Sequence, residues 1–236
     1  MYKNYIFDLY GTLVDIRTNE RKTYLWKKMS EIFASYGAMY TPNDLHQTYR
    51  WLVKQQEMNL PKNGEVNRSK VFVELFERKG VSCNRQMQKA IAIFFRSISR
   101  QMIDVYPGVK ETLQELRNRG KGIYLLSNAQ SDFTIPEINM LGLSTYFDDI
   151  FISSELGYKK PSKEFFEELL KTYHLDPKTC LMVGNDESAD IKGAKALGMD
   201  SLYIHTEISP AEDTESSATY VVMDGDWKKV SSILLG

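Results

Sequence analysis

Asp8 is the first residue of this chain in the setting of a reactive group. It follows an apolar run, Tyr5-Ile6-Phe7, that reads as a buried strand, and Gly11-Thr12 then turns the chain back. In an open α/β sheet, ligands bind outside the carboxyl ends of the strands. Asp8 is therefore placed to act as a carboxylate nucleophile or a metal ligand. Three later segments bring more polar groups to strand ends or helix starts. Leu125-Leu126-Ser127-Asn128 closes an apolar run with a hydroxyl that can donate to a phosphoryl oxygen or a carboxylate, and adjacent backbone N–H groups can add to it. Lys159-Lys160-Pro161-Ser162 opens a helix, with Pro in the first turn, where a missing N–H costs nothing. Lysine pairs are usually solvated, so the pair alone does not define a site. Val183-Gly184-Asn185-Asp186 leads on to Asp190. Asp is a hard oxygen ligand suited to Mg²⁺, whereas an Asn carbonyl is neutral and weaker. Asp186 also stands where a simple helix cap would.

The elements that must position these groups follow from periodicity. After Asp15 the strand pattern gives way to four helical stripes. Tyr24, Trp26, Met29, Ile32 and Phe33 form the first, and Leu45, Tyr49 and Leu52 the second. Val71, Phe72, Leu75 and Phe76 form the third, and Met87 through Met102 carries the fourth. From Tyr106-Pro107-Gly108 the chain alternates helix and strand. Strands are predicted over 122–126, 149–153, 180–183, 201–204 and 220–223. Helices are predicted over 108–119, 135–141, 162–173, 187–197 and 227–234. Such alternation implies βαβ units and a parallel sheet covered on both faces. The expected architecture is an α/β, Rossmann-like three-layer core (residues 1–17 and 103–236) with an inserted α-helical domain (18–102).

Composition narrows the class further. The chain has 236 residues, 42% of them hydrophobic, which suffices for a core and an insert. Its net charge of -1 gives no electrostatic sign of nucleic-acid binding. The longest apolar run, Ala90 to Phe95, is too short to span a bilayer. The first strand begins almost at once, which leaves no room for a signal peptide. Cys83 and Cys180 lack metal-ligand spacing and are expected as free, buried thiols of a cytoplasmic protein.

The segment Asp8-Leu9-Tyr10-Gly11-Thr12 resembles the first motif of the haloacid dehalogenase (HAD) superfamily of hydrolases, a strand followed by Asp-x-Asp-Gly-Thr. Ser127 is similar to its second motif, Lys160-Pro161 to its third, and Gly184-Asn185-Asp186 with Asp190 to its fourth. The matches fall in family order over Lys3 to Met199. The insert lies where a type-1 cap would close over the site, excluding water and choosing substrate. The resemblance implies Asp8, Ser127, Lys160 and Asp190 as catalytic residues. It implies Gly11, Thr12, Asn128 and, from the cap, Arg50 as substrate contacts. Mg²⁺ would be held by Asp8, the Tyr10 carbonyl, Asn185 and Asp186. The expected partner is a small-molecule substrate, with no nucleic acid or membrane, acting on a monomer or homodimer.

Two positions depart from the phosphatase form: Tyr10 replaces the second Asp, and Asn185 replaces the first Asp of the fourth motif. Asp-x-Tyr-Gly-Thr is typical of the 2-haloacid dehalogenase branch. Three readings follow. The first is a Mg²⁺-dependent phosphohydrolase acting through an aspartyl-phosphate, short of the acid that the second Asp supplies. The second is a metal-independent 2-haloacid dehalogenase with Asp8 attacking carbon. The third is a non-catalytic ligand-binding member.

Overall fold

A computed structural model describes residues 2–236. Six parallel strands form the sheet: β1 (Asn4–Phe7), β4 (Gly122–Ser127), β5 (Asp149–Ile152), β6 (Cys180–Gly184), β7 (Asp200–Ile204) and β8 (Tyr220–Val222). Their order is β5-β4-β1-β6-β7-β8, so β1 lies inside the sheet with β4 on one side and β6 on the other. Between β1 and β4 run β2 (Val14–Thr18), α1 (Thr23–Ser35), α2 (Pro42–Asn59), α3 (Arg68–Glu77), α4 (Arg85–Ser99) and β3 (Arg100–Val105). The later helices are α5 (Val109–Asn118), α6 (Ser131–Met140), α7 (Ser153–Leu156), α8 (Lys163–Thr172), α9 (Lys192–Lys195) and α10 (Trp227–Leu235).

Side chains alternate across a strand, so β1 feeds both faces of the sheet. Tyr5 and Phe7 pack with Leu113, Leu116, Trp227 and Leu234 of α5 and α10. Ile6 packs with Phe165, Phe166 and Leu169 of α8 and Ala194 of α9. Covering both faces makes the strands read as continuous apolar runs. α1 to α4 have their own core around Trp26, Phe33, Tyr49, Phe72, Phe76 and Phe95. No helix among the described residues is long and apolar enough to cross a membrane.

The structure differs from the sequence reading at several elements. β2 and β3 form an antiparallel two-stranded ribbon at the two chain crossings into the insert, Val14 opposite Val105 and Asp15 opposite Asp104. Its alternating runs are too short to stand out beside the helical stripes that border them. α6 begins at Ser131, earlier than predicted, and continues through Pro136. The predicted helix over 187–197 is a wide π turn, Glu187–Ile191, followed by α9. Cys83 and Cys180 are both free, but Cys83 is only partly buried.

α6 explains how the insert is held. At the amino end of α4, Arg85 makes a bidentate pair with Asp132, with distances of 2.7 and 2.8 Å. At the other end, Arg96 Nε and Arg100 Nη1 donate to Glu137 Oε1 at 2.8 and 2.9 Å. Between them Phe133 of α6 stacks with Phe95 of α4 at 5.9 Å. Burial separates the two clamps energetically. Both acids are buried, Glu137 at 3% and Asp132 at 6% exposed, but Arg85 is 64% exposed against 13% for Arg96, so its clamp is the more open to water. Removing one partner of a buried pair strands charge and costs about 3–5 kcal/mol, while an exposed pair is worth about 0–1 kcal/mol. Glu137→Ala, which strands two arginines, should therefore lower urea-unfolding stability by about 3 kcal/mol or more, and Arg85→Ala, at the more open clamp, by less. Equal costs would contradict this ranking.

Candidate active site

Asp8 directly follows β1, and its N–H donates to the Val183 carbonyl of β6 at 2.9 Å. This carries the sheet pairing one residue further and fixes the carboxylate at the sheet's carboxyl edge. The loop after it is tied down by its carbonyls. Thr206 Oγ1 donates to the Gly11 carbonyl at 2.8 Å and Trp227 Nε1 to the Thr12 carbonyl at 2.9 Å, and neither bond takes the Tyr10 carbonyl. Gly11 has φ +86, and a Cβ there would lie 2.3 Å from Asn185 Nδ2. Its contribution is backbone shape and room for Asn185.

Lys160 is the centre of the site. Its ammonium donates to Asp8 Oδ1 at 2.7 Å and to the Leu126 carbonyl at 2.6 Å. It also lies 2.7 Å from Asp190 Oδ1. Three acceptors thus surround a group with three protons. The Asp190 contact is an ion pair outside hydrogen-bond alignment, so Asp190 Oδ1 keeps unused acceptor capacity. Burial lowers the Lys160 pKa, but Asp190 and Asp8 more than offset it and hold the ammonium charged. Burial pushes the Asp190 carboxyl up to about 7, with Lys160 opposing and the charge of Asp8 adding to the rise. Asp190 Oδ2 accepts from the N–H groups of Asn185 and Asp186, both at 3.1 Å.

Asn128 acts on Lys160 from behind. Its Nδ2 donates to the Lys160 carbonyl at 3.0 Å and its Oδ1 accepts the Lys160 N–H at 2.7 Å. The segment just before Lys160 is tied to the cap loop, with Glu65 N–H donating to the Gly157 carbonyl and Lys159 N–H to the Asn63 carbonyl. Ser127 Oγ ends β4, buried and without a hydrogen-bond partner. Thr12 Oγ1 lies 3.4 Å from Asp8 Oδ2 and 3.2 Å from Asn185 Oδ1. Asp186 caps the wide turn through the N–H groups of Ser188 and Ala189.

Asp8, Tyr10, Ser127, Asn128, Lys160 and Asp190 line one cavity of about 190 Å³, together with Asn185 and Asp186. Gly11 and Thr12, expected as substrate contacts, are not among its lining residues: Gly11 makes room for Asn185, and the Thr12 hydroxyl lies against Asp8 and Asn185. Arg50 is not part of it: it is exposed on α2 and lines a separate groove. The cap's contribution comes from other residues. A chamber of about 240 Å³, sharing Tyr10 and Asn128 with the first cavity, is lined by Arg68, Arg96, Gln130 and Glu65. The sequence reading missed these residues and Glu137, because their roles arise from cap–core contacts with no local signature.

Tyr10 faces that chamber. Its hydroxyl donates to Glu137 Oε2 at 2.5 Å, with Thr134 Oγ1 at 3.1 Å. Burial raises its pKa, the Glu137 charge adds to the rise, and Arg96 over its ring only partly opposes it. Tyr10 is therefore a neutral phenol whose proton is already committed.

A model of the haloacid dehalogenase-like hydrolases matches residues 2–198, and the chain belongs to that family. Glyceraldehyde 3-phosphate phosphatase of Methanothermobacter thermautotrophicus is 24% identical over 99% of this chain and 100% of its own length. Phosphoserine phosphatase of Thermus thermophilus is 32% identical over 69% of this chain and 63% of its own. The 2-haloacid dehalogenase of Pseudomonas syringae shares the fold with TM-score 0.69 at 20% identity, covering 100% of this chain and 99% of its own.

Gly184 leaves the space that Asp190 occupies. A Cβ there would lie 2.3 Å from Asp190 Oδ2, and its nearest neighbours are all Asp190 atoms. Gly184→Ala should cost about 1–3 kcal/mol as overpacking. In an Asp190→Gly background, which also removes the Asp190 Cβ that would lie at 2.5 Å, most of that cost should vanish. Urea unfolding of the four proteins measures the coupling. Additive costs would place the strain elsewhere.

Proposed function

We propose that this chain is a phosphohydrolase in which Asp8 attacks phosphorus and forms an aspartyl-phosphate that water then hydrolyses. The observation that carries this reading is the orphaned Ser127 hydroxyl beside the Asp8–Lys160 pair. A buried, unpartnered donor costs about 1–3 kcal/mol, and a phosphoryl oxygen in the cavity would remove that cost. Lys160 would hold the charge of nucleophile and phosphoryl group together, and Asp190 and Asn128 would hold Lys160. The phosphatase names of the sequence relatives support the same class.

The oxygen atoms around Asp8 fit a divalent cation. Asp8 and Asp186 line the cavity with Tyr10 and Asn185, and the Tyr10 carbonyl is not taken by the bonds that hold its loop. We assign Asp8, the Tyr10 carbonyl, Asn185 and Asp186 as the ligands of Mg²⁺. When bound, the ion would screen the repulsion between the nucleophile and an anionic phosphate. Among the described residues no three His, Cys, Asp or Glu side chains form a metal cluster, so the site depends on neutral oxygens. Binding should therefore be looser than in relatives with Asp at the Asn185 position. In calorimetric titration Asn185→Asp should bind Mg²⁺ more tightly than the wild type. Equal affinities would remove Asn185 from the ligand set.

We take residues 18–102 as the cap and the remainder as the core, with small phosphorylated metabolites of the cytoplasm as substrates. Tyr10 cannot supply the leaving-group proton, because that proton is held by Glu137. Turnover should thus favour aryl and acyl phosphates, which depart unaided, over alkyl phosphates. Tyr10→Asp should raise the alkyl-to-aryl ratio of kcat/KM by at least about tenfold, given that a general acid contributes 10²–10⁴-fold. An unchanged ratio would refute the missing-acid account. Asp8→Asn should abolish turnover, since an amide is no nucleophile. Single turnover in ¹⁸O-water separates this reading from dehalogenation: label in released phosphate supports it, and label in the Asp8 carboxylate contradicts it.

A further inference from the structure

The chamber beyond Tyr10 holds two arginines in different states. Arg96 is committed: two of its nitrogens bind Glu137, and its side chain is 13% exposed. Arg68 has a single carboxylate partner, Glu20, at 2.5 Å, and the two side chains are 33% and 31% exposed. Ion pairs with that much water contact are worth only about 0–1 kcal/mol. Exchanging Glu20 for another anion would therefore cost little, whereas prising Arg96 from Glu137 would cost much more.

The backbone of Arg68 is fixed even though its head group is exchangeable. Its N–H donates to Gln130 Oε1 at 2.7 Å, and Gln130 Nε2 donates to the Val66 carbonyl at 2.7 Å. Gln130 lies two residues beyond Asn128, which holds Lys160, so the guanidinium is anchored in register with the catalytic cavity. Arg68 and Glu20 also line an outer groove on the cap, where the Tyr49 hydroxyl is buried and has no hydrogen-bond partner. Tyr49 is close enough for the Arg68 charge to act on its phenol. A guanidinium on an anchored backbone, in an exchangeable pair, is suited to take another oxyanion in the place of Glu20. The chamber's other carboxylate, Glu65, is pushed toward its neutral form by burial, and the Ser153 hydroxyl lies 2.8 Å from it.

From this we infer that Arg68 is a specificity-determining residue that binds a second oxyanion of the substrate, displacing Glu20 as it does so. The substrate class is a small phosphate monoester whose leaving group carries a carboxylate or a second phosphate at its far end. The inference rests on the phosphohydrolase reading above.

A matched three-carbon series tests it: propyl phosphate, 3-phosphooxypropanoate and propane-1,3-diyl bisphosphate. Wild type should prefer one or both of the acidic-ended esters, and which of them it prefers distinguishes carboxylate from phosphate. Arg68→Ala should lower kcat/KM for the preferred acidic ester at least tenfold more than for propyl phosphate, mainly through KM. Arg68→Lys should restore part of the loss. Glu20→Gln, which removes the competing carboxylate, should lower KM for the acidic ester at least threefold. A uniform loss across the series in Arg68→Ala, or an unchanged KM in Glu20→Gln, would overturn the subsite. Absence of Asp8-dependent turnover on all three esters and on aryl phosphates would instead overturn the underlying phosphohydrolase reading.

Discussion

The site depends on one buried cation. The Lys160 side chain is 1% exposed and sits between Asp8 and Asp190. Taking an ammonium out of water costs several kcal/mol, which is recovered only when opposite charge and hydrogen-bond acceptors surround it closely. Much of the surrounding structure meets that demand. β1 ends at Asp8, β4 offers the Leu126 carbonyl, and the wide turn after β6 swings Asp190 inward. Gly184 leaves the space for that carboxylate, and the Asn128 amide holds the Lys160 backbone. Such a group adds little to stability. Its effect is to fix the proposed nucleophile, Asp8, in a buried setting, where electrostatic interactions are strong.

A second buried charge, Glu137, does for the cap what Lys160 does for the core. It joins α6 to the exit of α4, to the start of β3 and to the Tyr10 hydroxyl. This links the identity of residue 10 to the seating of the cap. With Asp in place of Tyr10, a carboxylate would face Glu137 and the tie through the phenol would be lost. With Tyr10, the loop gains a rigid wall for the leaving-group chamber and gives up a proton donor. The substitution that looks like decay in the sequence is a supported structural feature in the fold.

Much of this was legible in the sequence because it is local. Asp8, Ser127 and Lys160 each end an apolar run or open a helix, and their spacing along the chain matches a family order. The inner strands β4, β6 and β7 read clearly because both faces of the sheet are buried there, whereas the edge strand β8 keeps Tyr220 and Val221 exposed. The β2–β3 ribbon alternates apolar and polar residues, Val14-Asp15-Ile16-Arg17 and Ile103-Asp104-Val105, but each run is too short to stand out beside the helical stripes that border it. The reading of 187–197 as one regular helix missed its wide first turn, in which the Asp186 carbonyl accepts from the N–H groups of both Asp190 and Ile191. Arg50 looked suitable by residue type, but its position on α2 turns it to solvent. Arg68, Arg96 and Glu137 carried no signal, since each gains its role from a partner tens of residues away.

The central claim is that Asp8, held by Lys160, becomes phosphorylated. Borohydride reduction of enzyme quenched during turnover of an aryl phosphate tests this directly, because it converts an aspartyl-phosphate to homoserine. Peptide mass spectrometry should then find homoserine at position 8 in the wild type, and none when substrate is omitted. Steady turnover with an unmodified Asp8, or homoserine at another aspartate, would contradict the account.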